Sequence, residues 1–92
     1  MKRFEHIGAT FHFQGAPVGA FNAEALPRED GDHEYEPYRG PGHLQMQETL
    51  RAGKQASCYY VHEDEKILFT VIACPTYGVL TLSNVRTETN AP

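Results

Sequence analysis

The chain has 92 residues, 40% of them hydrophobic, and a net charge of −4 at pH 7. That length makes one domain with a small core, burying roughly 60–70% of its unfolded surface. The acidic balance argues against duplex nucleic acid, whose binding rests on phosphate neutralisation by Lys and Arg. No apolar run approaches the ~18 residues of a membrane span, and the first residues, Met1 to His6, hold no signal-peptide core. Two cysteines without a secretion signal point to reduced thiols and a cytoplasmic protein.

Residues 4 to 13 alternate. Ile7, Ala9, Phe11 and Phe13 share one face, and Phe4, His6, Thr10 and His12 the other, as in a strand with one apolar side. Gln14-Gly15 turns the chain back into a second strand, Ala16 to Phe21, with Phe13 opposite Ala16. Pro17 has no N–H to give a neighbour, so this strand belongs at an edge.

Residues 22 to 42 read as irregular. Asn22 to Leu26 can make one helical turn, stopped by Pro27. An acidic stretch follows with carboxylates at alternate positions, Asp30, Asp32, Glu34 and Glu36. It lacks the rest of an EF-hand loop, so it reads as a solvated acidic loop rather than a calcium site. A loop near 20 residues is long for a small domain, and such loops are functional or disordered. Tyr35, Tyr38, Arg39 and His43 stand out within it. Tyr and Arg are the residue types that most often anchor interfaces, while Pro37 and Pro41 stiffen the backbone between them. These four residues are the candidate partner-binding set. The competing role for Tyr38 is to pin the loop to the fold.

His43 to Ala52 is rich in helix formers, Leu, Gln, Met, Glu and Arg, and predicts a short helix stopped at Gly53. Ser57 to Val85 then holds three strands: Cys58–His62, Ile67–Ala73 and Val79–Ser83. The turns are Glu63 to Lys66 and Pro75 to Gly78. Alternation puts Cys58, Tyr60, Ile67, Phe69, Val71, Leu80 and Leu82 on the main core face. Pairing His62 with Ile67 sets Tyr60 opposite Phe69 and Cys58 opposite Val71, and Val71 also meets Leu82. The middle strand is apolar on both sides, which predicts cover on both faces. Cys58 and Cys74 fall on opposite faces and are expected to stay free. Residues 87–92 are expected to form a disordered tail after a single domain spanning 1–86.

The five histidines and two cysteines do not make a metal motif. His6 and His12 lie roughly 20 Å apart along one strand, and Cys58 and His62 roughly 13 Å apart. Neither Cys-x-x-Cys nor His-x-x-x-His occurs. The chain also lacks Gly-x-Ser-x-Gly and a phosphate loop, and no motif implies a cofactor. The expected fold is therefore α+β, an antiparallel sheet of order ββαβββ packed with one helix. The expected function is a non-catalytic cytoplasmic protein-binding or regulatory module, a monomer or homodimer, whose acidic loop favours a basic protein partner. The main alternative is a small enzyme or ligand-binding protein with a pocket between the helix and the 27–42 loop. A third reading is single-stranded nucleic-acid binding by stacking on Tyr59 and Tyr77.

Overall fold

In the computed structural model, which describes residues 7–88, the two apolar stretches fold as two antiparallel meanders joined by a helix. The first comprises β1 (Ile7–Phe13), β2 (Ala16–Asn22) and β4 (Glu36–Pro37), while β3 (Gly31–Glu34), one residue before β4, pairs with the last strand of the second. The second comprises β5 (Ala56–His62), β6 (Glu65–Thr76) and β7 (Val79–Glu88). The helix α1 (Pro41–Arg51) runs between them.

All pairings are antiparallel, in the order β3-β7-β6-β5-β1-β2-β4. The two outermost strands, β3 and β4, are separated in the chain by Tyr35 alone. The sheet therefore has to curl until its edges meet, and the result is close to a barrel. Irregularities in register help it bend. Val18 is an extra residue between the pairs Phe11–Gly19 and His12–Pro17. Asn84, at φ 57°, sits where β7 carries one residue more than β6; Asn tolerates that left-handed conformation better than most residues.

One helix and an antiparallel sheet were expected, and both are present. The domain is nonetheless mostly sheet, and the α+β, ββαβββ expectation holds only in outline. The correction lies at residues 31–37, expected as acidic loop and found as β3 and β4. Their charges alternate outward, as on an edge strand, while Tyr35 turns in. Asp30 and Asp32 fasten this segment to β7. The Asp30 carboxylate accepts from the Val85 N–H at 2.9 Å, and Thr81 Oγ1 donates to Asp32 at 2.6 Å. Backbone donors from Val85 and Asn84 hold the Asp30 carboxyl below its usual range.

The inward faces fill the core as the alternation predicts. Cys58, Tyr60, Ile67, Phe69, Val71, Leu80 and Leu82 are all buried, with Ala9, Phe11 and Phe13 from β1. Phe11, Phe21, Phe69 and Tyr60 form its aromatic centre, with ring centroids 4.7 to 6.2 Å apart. Val71 opposes Leu82 as expected. In the β5–β6 hairpin the turn is shorter than the four residues expected. Glu63-Asp64 makes it alone, so Tyr60 opposes Ile67 and Cys58 opposes Phe69. A slip of two residues leaves every side chain on its predicted face. The expected cover over the outer face of β6 is not found, for Leu68 is half-buried and Ile72 exposed. A near-barrel needs to bury one face of each strand, not two. β7 continues through Thr87 and Glu88, which pair with Ile67 and Lys66, so the strand outlasts the expected boundary at Arg86. The rest of the expected tail, 89–92, lies outside the described residues.

The two ends of the near-barrel are closed differently. At one, residues after the short turn Ala23–Ala25 are tied down where Tyr60 Oη donates to the Pro27 carbonyl. At the other lies α1, with Pro41 in its first turn and Gly53 (φ 76°) just past its end. Met46 is fully buried in the core. Gly42 lets the helix approach β2 closely, since a Cβ there would stand 2.3 Å from the Pro17 carbonyl oxygen.

Candidate functional site

The four residues singled out as partner-binding separate into two roles. Tyr35 is 2% exposed and belongs to the core. That corrects its assignment as a surface anchor: it is the residue where the two sheet edges meet. Its N–H donates to the Gly78 carbonyl at 2.9 Å, its ring packs edge-on against Phe11, and its hydroxyl lies 2.8 Å from His43 Nε2. Burial pushes the Tyr35 phenol well above its usual pKa and holds the His43 imidazole below its own. His43 is thus mainly neutral at pH 7 and is 8% exposed. Tyr38 is half-buried, with its hydroxyl 3.2 Å from Thr10 Oγ1 and its N–H donating to the Val18 carbonyl. It is the loop pin that the sequence allowed as the competing role. Of the four, Arg39 alone is exposed.

Arg39 opens onto a groove of about 690 Å³ along α1. The helix contributes Pro41, His43, Leu44, Gln47 and Arg51, and the β6–β7 turn contributes Tyr77 on the far side. Pro41, Leu44, Gln47 and Arg51 recur at intervals of three and four, so they form one stripe down the helix. Leu44 and Tyr77 are the two most exposed large apolar side chains described, at 61% and 66%. His43 lines the groove from its buried side and meets Tyr77 edge-to-face at 6.2 Å. Gln47 reaches the Cys74 sulfur at 3.7 Å, and that thiol donates to the Thr76 carbonyl.

The lining holds two guanidinium groups and no carboxylate. Among the described residues neither Arg39 nor Arg51 makes an ion pair or a side-chain hydrogen bond. Elsewhere Arg28 pairs with Glu65 at 2.9 Å and Lys66 with Glu88 at 3.3 Å, while Lys54 and Arg86 make no ion pair among the described residues.

The alternative pocket was expected between the helix and the 27–42 loop. The groove shares only the end of that loop, Arg39 to Pro41. Its opposite wall comes from the β6–β7 turn, because β3 and β4 are drawn into the sheet. Sequence reasoning missed Leu44, Gln47 and Arg51. The available signal was Leu44 itself, an apolar side chain off the His43–Met46–Leu50 face of the helix. A large aromatic at the tip of a turn, Tyr77, was a second signal.

No group of His, Cys, Asp and Glu among the described residues is arranged to hold a metal ion. No helix among them is long and apolar enough to cross a membrane. Comparison with family models, curated proteins and solved structures finds no match for this chain.

Proposed function

We propose that the protein is a non-catalytic binding module that holds a segment of a partner protein in the groove beside α1. The observation that carries this reading is the pairing of Leu44 and Tyr77 across one groove. Exposing two large apolar side chains on facing walls of one groove costs solubility, and exposed apolar surface of this kind marks interaction sites. Both belong to rigid elements, a helix held by Met46 and His43 and a hairpin turn held by the Tyr35–Gly78 hydrogen bond. A rigid floor lowers the ordering cost of binding.

The side chains near the groove with chemical potential are already engaged. His43 is bonded to Tyr35, and the Cys74 thiol donates its proton to a carbonyl. That arrangement favours binding over nucleophilic catalysis, which needs a base within reach of the nucleophile. The volume lies in the range of small-molecule sites, but those enclose most of their ligand, whereas this groove is open along its length.

Selection from a display library of short random peptides tests the reading. Peptides enriched on the wild type should lose binding to Leu44→Asp and Tyr77→Ala, both of which should keep the wild-type melting temperature because the residues are exposed. Failure to enrich any peptide, or enrichment indifferent to both substitutions, would count against the groove as the binding site.

A further inference from the structure

Resting on that reading, we infer that the bound segment is an extended acidic peptide, with an apolar side chain seated between Leu44 and Tyr77 and carboxylates meeting Arg39 and Arg51. The geometry sets the length. From Pro41 to Arg51 the helix rises about 15 Å, at about 1.5 Å per residue. An extended chain advances about 3.3 Å per residue, so about five residues lie along the groove. Arg39 precedes one end of that stripe and Arg51 stands at the other, with the apolar pair between them.

Charge sets the sign. Of the six described cations the chain pairs Arg28 and Lys66, and what sets Arg39 and Arg51 apart is that both line one groove with no carboxylate in it. Leaving both groove arginines without partners, in a lining with no carboxylate, creates a local cationic site on an acidic protein. Arg is suited to this use because its planar fork takes a carboxylate through two parallel hydrogen bonds. Two of the four carboxylates of the acidic stretch, Asp30 and Asp32, also have a structural use, holding β3 to β7.

Fluorescence anisotropy with four labelled peptides provides the test: Asp-Ser-Leu-Ser-Asp, its Asn-flanked and Lys-flanked counterparts, and Asp-Ser-Ser-Ser-Asp. The acidic peptide with Leu should bind tightest. Arg39→Gln and Arg51→Gln should each weaken it by about two- to fivefold, as for exposed ion pairs, and leave the Asn-flanked peptide unchanged. Added salt should weaken the acidic peptide most. Equal binding of the three Leu peptides, abolished by Leu44→Asp, overturns the acidic inference while the groove reading stands. Failure of all four, while library selection enriches other groove-dependent sequences, does the same. Binding of octanoate with the same arginine dependence, and of none of the peptides, overturns it in favour of a small amphiphilic acid.

Discussion

Replacing Tyr35 by Phe isolates one hydrogen bond at the point where the near-barrel closes. The ring and its packing against Phe11 stay; only the hydroxyl goes. Whichever of the two groups donates, His43 Nε2 then loses its partner in a site where Tyr35 is 2% and His43 8% exposed. Leaving a buried polar atom unsatisfied costs about 1–3 kcal/mol. A domain of this size has a total stability of about 5–14 kcal/mol, at about 0.05–0.15 kcal/mol per residue. The loss is therefore a substantial fraction, and at about 4–8 °C per kcal/mol it lowers the melting temperature by about 4–24 °C. Urea unfolding of Tyr35→Phe, His43→Leu and the double variant completes the measurement as a thermodynamic cycle. Each single variant should be destabilised, and the double variant should lose less than the sum, because removing both polar partners leaves neither orphaned. A Tyr35→Phe midpoint equal to that of the wild type, or strict additivity in the cycle, would refute the claim that this bond helps close the fold.

Phe69→Ala should cost about 3–5 kcal/mol, since the ring is 1% exposed and contacts Phe11, Phe21 and Tyr60; a denaturant midpoint near wild type would remove Phe69 from the core. Native protein treated with a thiol reagent should modify Cys74 readily and Cys58 slowly, because burial pushes the Cys58 thiol up to about 12; equal rates would contradict that burial, and two additions should appear once the chain is denatured. His43 should make stability depend on acid. Burial lowers its folded pKa, so its full contribution is present above the unfolded value near pH 6.5 and is lost as pH falls from there through the folded value. His43→Leu should flatten this part of the stability profile, and an unchanged slope would show that His43 does not cause it.

The helix could be read from its run of helix formers and Gly53, and the strand faces from period-2 alternation. The faces of β1, β5, β6 and β7 were legible because a residue's side depends on parity, and parity survives a register slip of two. The slip at Glu63-Asp64 therefore moved Tyr60 from Phe69 to Ile67 without emptying the core. The strands β3 and β4 were hidden for a related reason. In Asp30, Asp32 and Glu34 the polar residues carry the alternation, while the intervening inward positions are Gly31 and His33, neither strongly apolar. An edge segment that alternates charge with small or polar residues looks like loop to any search for apolar periodicity. The groove was less legible still. Tyr77 and Arg51 are 26 residues apart in the chain, and only curling of the sheet brings the β6–β7 turn beside the helix.

The closure of the sheet and the shape of the groove share a residue. Tyr35 joins β3 to β4, its N–H holds the β6–β7 turn at Gly78, and its hydroxyl holds α1 at His43. Those two contacts fix the two walls of the groove, with Tyr77 next to Gly78 on one and Leu44 next to His43 on the other. The spacing of the exposed apolar pair is therefore set from inside the core. Neither wall depends on a long mobile loop, because the stretch that the sequence suggested as loop is paired with β7 and β2. A binding surface built this way loses little entropy when it is filled. Its weakness follows from the same construction: a change that loosens Tyr35 would disturb the groove even though Tyr35 does not line it.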